Sequence, residues 1–138
     1  MNALAMDGFV QALTQKTLNN EVDWKSLIEL RETTEGSNRA LYYTVFETEF
    51  HSVLFLKSFY CFLPSSGYVY LINETFESGY DGSVISGINI YIQKDASSKV
   101  YKLIVDQGQI YRLENAILDS RTNEDEEIQT FIDSFFDN

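Results

Sequence analysis

Thiol–imidazole chemistry in this chain would have to draw on its one histidine and one cysteine, His51 and Cys61. A reactive thiolate needs a paired base or cation to lower its pKa. Cys61 instead sits between Tyr60 and Phe62 in the apolar run SVLFLKSFYCFL, where a free cysteine behaves as a small hydrophobe. His51 falls at the start of that run and reaches Cys61 only across a hairpin, so a satisfied or solvated imidazole is expected. Structural zinc and calcium sites need clustered His, Cys and carboxylates at ligand spacing. One His and one Cys do not supply them, so no metal and no cofactor are expected.

Carboxylates are plentiful, 21 in all. Closely spaced pairs exist, such as Glu47 with Glu49 and Glu74 with Glu77. Glycosidase or metal-assisted hydrolysis needs one defined pair in a cleft. With this many acids nothing singles out a pair, and a strand-borne Glu47/Glu49 reads as a solvated face. No catalytic residue is assigned, and the expectation is a non-enzyme. The segment SGYDGSVISG is dotted with glycines, yet no GK[ST] follows it and no helix opens there, so it is not a phosphate loop. It lacks the repeated acids and final Glu of a calcium loop. It reads as a hairpin loop, and its Tyr80 and Asp81 are candidate partner contacts because loops carry binding residues disproportionately.

The elements that must position these groups follow from hydrophobic period. Met6, Phe9, Val10 and Leu13 make one apolar stripe at helical spacing, with Asp7 as N-cap or first-turn acid and Asn19–Asn20 as the stop. EVDWKSLIEL predicts a short helix or a turn that docks Trp24, Leu27 and Ile28, and residues 31–39 read as a loop. From Leu41 the composition turns to Tyr, Phe, Val and Thr, so LYYTVFETEF is expected as a strand. SVLFLKSFYCFL is expected as a central strand, with an unplaced turn near Phe50–Ser52 or one long bent strand. In that run Lys57 shares parity with apolar residues, so it either snorkels to an edge, the commoner outcome, or pairs with a buried acid. PSSG signals the turn into YVYLINETF, and ISGINIYIQKD alternates with Ile88, Ile90 and Ile92 on one face. ASSK then turns the chain into VYKLIVD, and QGQ marks a further turn. Ile110, Leu113, Ala116 and Ile117 return to helical spacing, as do Ile128, Phe131, Ile132 and Phe135.

The predicted fold is therefore α+β: a four- to five-stranded antiparallel meander sheet, with an N-terminal helix and two C-terminal helices packed on it. Residues 1–138 make one domain, as their number suggests.

The ending, NEDEEIQTFIDSFFDN, carries six acids and no base. Asn123 reads as the N-cap of a last helix, with Glu124, Asp125, Glu126 and Glu127 in a first turn where the helix dipole favours negative charge. Burial on the sheet would account for Ile128, Phe131, Ile132 and Phe135, leaving Phe136 off the stripe. The competing reading is an acidic recognition surface, with Asp133, Phe136 and Asp137 as candidate contacts.

Composition bounds the partners. A net charge of −11 repels phosphates, so direct nucleic-acid binding is not expected, whereas a basic protein partner is permitted. No apolar run approaches the roughly 20 residues of a membrane span, and the start lacks the basic region of a signal peptide. A single cysteine fits a reducing compartment, so the expected location is cytoplasmic, away from membranes. Self-association through an exposed strand edge would give a homo-oligomer.

Phe9, Leu13, Lys16, Thr17 and Trp24, followed by Ser58–Tyr60 and Gly67–Ile72, resemble the pattern of a group of small uncharacterised proteins of Gram-positive bacteria and their phages. That resemblance implies a sheet with a central hairpin, a terminal helix pair, and a cytosolic or mobile-element setting. It implies no activity and no catalytic residue. The functional expectation is an acidic protein-interaction module, in a sharper form an antagonist of a nucleic-acid-binding protein (an anti-CRISPR or other anti-defence factor) or a toxin immunity protein. The alternative is a small-molecule-binding module with an aromatic-lined pocket between sheet and helices.

Overall fold

The computed structural model describes residues 3–137, without the side chains of residues 3, 123 and 124. Helix α1 (Ala3–Leu18) buries Val10 and Leu13 and half-buries Met6 and Phe9, as the stripe predicts. It stops where Asn20 turns left-handed (φ 60°) and the Glu21 amide donates back to the Lys16 carbonyl, 2.9 Å. Asp7 lies inside the helix, so it is not the N-cap. The following segment forms β1 (Lys25–Ser26) and a 3-10 turn over Leu27–Leu30. Trp24 is buried there, its indole N–H donating to Thr17 Oγ1 at 3.0 Å.

The sheet is antiparallel throughout. Strands β3 (Phe59–Leu63), β4 (Gly67–Glu77), β5 (Val84–Gln93) and β6 (Val100–Lys102) form the expected meander, with β1 on the outer edge of β3. The last strand is shorter than the alternation over VYKLIVD suggests. Strand β2 (His51–Val53) lies beside the far half of β4, pairing His51 with Phe76 and Val53 with Glu74. The run 51–63 is thus one interrupted strand rather than a continuous one. The 3-10 turn Phe55–Lys57 breaks it, with Lys57 exposed, and Ser58 and Asn73 close the gap: Asn73 N–H donates to Ser58 Oγ at 2.9 Å.

Both sheet faces are covered. On one, Phe59, Cys61, Val69, Leu71, Ile88 and Ile90 pack against α1 and the first half of α4 (Gln107–Asp137). On the other, Tyr70, Ile72, Tyr91 and Val100 pack against Leu27, Leu41, Val45 and Phe46. This second layer replaces the strand expected over 41–50. Residues 34–46 are helical instead, reaching back into the expected loop over 31–39: α2 (Thr34–Ser37), α3 (Arg39–Leu41) and a π-helical turn over Tyr42–Phe46. Asn38 explains why. Its Oδ1 caps the Leu41 amide (3.1 Å) and accepts from Gln93 Nε2 (2.9 Å), while its amide donates to Gln93 Oε1 (2.8 Å). Tyr70 OH donates to the same Oε1 at 2.7 Å. A reciprocal amide pair in the sheet face therefore fixes a helix start, and packing of Leu41 and Val45 outweighs the strand propensity of the aromatic residues around them.

The two expected C-terminal helices are joined as one, Gln107–Asp137. The QGQ segment opens that helix instead of forming a separate turn. No helix among the described residues is long and apolar enough to cross a membrane.

Candidate functional site

The first half of α4 buries Ile110, Leu113, Ala116 and Ile117 in the core. Arg121 anchors the point of departure: its guanidinium donates to the Trp24 carbonyl at 3.1 Å and lies 5.3 Å from the Phe59 ring centroid. From 125 to 137 every residue is exposed. At 1.5 Å per residue, this arm is about 20 Å long.

The arm repeats the pattern of the buried half. Ile128, Phe131 and Phe135 follow Ile110, Leu113 and Ile117, each about five turns further along, so they lie on the same helix face. The body gives that face a core in the first half and no cover in the second. Exposure runs from 41% for Ile132 and 52% for Ile128 to 71% for Phe135, 77% for Phe131 and 78% for Phe136. The Phe135 and Phe136 rings meet edge to face, centroids 5.3 Å apart.

These facts overturn two expectations. The apolar stripe of the ending is not buried on the sheet. Nor does a helix begin at Asn123, because the backbone is already helical from Gln107. The Asn123 and Glu124 side chains lie outside the described residues. Asp125, Glu126 and Glu127 are mid-helix, far from any free N-terminal amides, so capping and the helix dipole do not explain them.

The candidate contact residues divide between two elements. Asp133, Phe136 and Asp137 are exposed on the arm, where Gln129 Nε2 donates to Asp133 Oδ1 at 2.9 Å. Tyr80 and Asp81 are exposed in the β4–β5 loop, which is the hairpin loop expected. There the Ser83 amide donates to Asp81 Oδ1 at 2.9 Å, and this bond, with the Ser83 and Ser78 hydroxyls, holds the Asp81 carboxyl below its usual range. Gly82 takes the positive φ (71°) that lets the loop close from Ser83 back to Ser78. No hydrogen bond, ion pair or ring contact among the described residues joins the two sets.

A buried polar cluster was not singled out by sequence reasoning. Glu74, 1% exposed, faces the same side of β4 as Tyr70 and Ile72. His51 Nε2 lies 2.6 Å from its Oε1, Asn89 Nδ2 donates to Oε2 at 3.1 Å, and Tyr91 OH stands 3.1 and 3.0 Å from the two oxygens. Assigning the imidazole proton to Nε2 leaves Nδ1 to accept from the Thr48 hydroxyl at 2.8 Å. Three donors from β2 and β5 thus converge on one carboxylate of β4 and tie the far half of the sheet together. Burial, then the nearby Glu74 charge, raises the Tyr91 pKa. The sequence signal was parity: an acid on the buried face of YVYLINETF, on the same sheet face as Asn89 and Tyr91 of the neighbouring strand.

Glu47 and Glu49 are exposed, as a solvated reading expects, though on a turn rather than a strand, and Glu77 is exposed at the end of β4. Burial pushes the Cys61 thiol up to about 12, and His51 is turned away to Glu74, so the two form no nucleophile–base pair. Among the described residues no three His, Cys, Asp or Glu side chains converge as metal ligands. No family model, curated protein or solved structure matches the chain.

Proposed function

We propose that this protein is a non-enzymatic, acidic interaction module of bacterial or phage origin, and that the α4 arm is its docking element. The partner is a protein with an apolar groove flanked by lysine or arginine, into which an amphipathic helix lays its apolar face. One observation carries this: the core-facing stripe of α4 continues past the body as exposed Ile128, Phe131 and Phe135, with Ile132 and Phe136 exposed beside it. Six acids and no base accompany them after Arg121. Two copies of such an arm would repel when paired side by side, whereas a basic groove offers complementary charge. Grooves that hold DNA or RNA are basic for the same reason. That supports the sharper reading of an antagonist that occupies the nucleic-acid site of a defence protein or a toxin.

The test is affinity capture at low salt with the intact protein and with a Phe131→Ala/Phe135→Ala variant. The proposal requires a basic protein retained by the first and lost from the second, released by rising salt. Equal retention by both, or release insensitive to salt, refutes it.

A further inference from the structure

A cleft of about 670 Å³ opens between α1, the β3–β4 turn and the β5–β6 turn. That volume falls within the roughly 300–1,000 Å³ of small-molecule sites. Its composition is set by which elements reach it. Helix α1 and the sheet contribute Met6, Phe9, Leu63, Val69, Ile92 and Leu103, with the strand residues Tyr68, Tyr101 and Gln93 beside them. The two turns contribute Ser66 from one and Lys94, Ser98 and Lys99 from the other. These turns touch, because a Cβ on Gly67 would meet the Gln93 and Lys94 carbonyls. The two cationic groups therefore both come from the β5–β6 turn, while the large aliphatic side chains come from α1 and the sheet.

Charge sharpens the chemistry. The chain has 21 acids against 10 lysines and arginines, yet no acid lines this cleft and two lysines do. Among the described residues neither lysine forms an ion pair. The neighbouring acid of the turn, Asp95, accepts from the Ser97 and Ser98 hydroxyls at 2.7 and 2.8 Å; these bonds, and to a lesser extent the Lys94 charge, hold its carboxyl below the usual range. Lys99 Nζ lies 5.5 Å from the Tyr101 ring centroid, at the cleft wall.

The geometry points to a second binding site, for a single-chain amphiphile with an anionic head: the chain lies along Phe9, Leu63 and Ile92, and a carboxylate head meets Lys94 and Lys99. This site is separate from the α4 arm and does not depend on the docking role.

The test is titration calorimetry on the full chain with dodecanoate below its micellar concentration, beside dodecyltrimethylammonium, which has the same tail and the opposite charge. Two charge-reversed variants are compared: Lys94→Glu/Lys99→Glu at the cleft, and Lys16→Glu/Lys25→Glu, equally exposed and outside it. The expected result is saturable dodecanoate binding with one site per chain, at least tenfold weaker binding of the cation, and a tenfold or greater loss in the cleft variant only. Equal binding of both amphiphiles, equal loss in the two variants, or no saturable binding overturns the assignment. So does a cleft filled by the arm of a second copy that dodecanoate fails to displace.

Discussion

Ile117 and Phe135 occupy the same face of one helix about five turns apart, and truncating each to alanine should give opposite outcomes. Ile117 is fully buried among α1 and sheet residues. Its replacement removes three carbons, worth about 0.8 kcal/mol each in transfer, and leaves a cavity besides, so Ile117→Ala should cost about 2–5 kcal/mol. Phe135 is 71% exposed. Less than about a third of the roughly 1.5–3 kcal/mol of full side-chain burial is at stake there. Alanine's better helix propensity, about 0.5 kcal/mol, offsets most of that. Phe135→Ala should therefore lie within about 0.5 kcal/mol of the parent. Urea unfolding followed by far-ultraviolet circular dichroism measures both. A cost above about 1.5 kcal/mol for Phe135→Ala would refute the free arm. If that cost also grew with protein concentration, a second copy would be the cover.

Other perturbations probe the body. Glu74→Ala leaves His51, Asn89 and Tyr91 without their shared acceptor and should cost at least about 2 kcal/mol in the same assay, since a buried donor left unsatisfied costs about 1–3 kcal/mol; a cost under about 1 kcal/mol would show that the cluster does not hold the sheet. Gly67 has φ 133°, and an added Cβ would fall 2.4 and 2.6 Å from two backbone oxygens, so Gly67→Ala should lower stability by at least about 2 kcal/mol, whereas Gly36→Ala, with open space, should not. Alkaline pH supplies a linkage test. Burial raises Cys61 from 9.0 to about 12 and also raises Tyr70 and Tyr91 from 10.0. The folded state holds these protons more tightly than the unfolded chain, so their stabilisation is intact below pH 9 and is lost as pH rises from 9 toward 12 and beyond. Unfolding free energy should fall across that window; a flat profile, or Tyr70 and Tyr91 ionising near pH 10 in the folded protein, would contradict it.

Sequence reasoning recovered what local chemistry determines. The α1 stripe, the Asn20 stop, the turn at Pro64–Gly67 and the alternation of Ile88, Ile90 and Ile92 each express one period or one turn preference, and the structure has them. It failed where a distant contact decides. Residues 41–46 carry strand formers, but Asn38 is capped onto Gln93 of β5, and helical spacing of Leu41 and Val45 was the weaker signal in the same stretch. The ending failed differently. Asn123 and the acids after it mimic a helix start, yet no Gly or Pro interrupts 109–137, so the helix simply continues. An amphipathic stripe predicts that something covers it, but not that the cover belongs to the same chain. The Glu74 cluster was hidden among many acids, and only strand parity set it apart.

The docking claim is tested most directly by a photoreactive residue placed at Phe131 of the intact protein in cells that express it, with a second placed at exposed Lys16 as reference. Crosslinking from position 131 to one basic protein, absent from position 16 and weakened by salt in the purified pair, is the predicted result. Crosslinks that are the same from both positions, or that join position 131 only to a second copy of the chain, would contradict it.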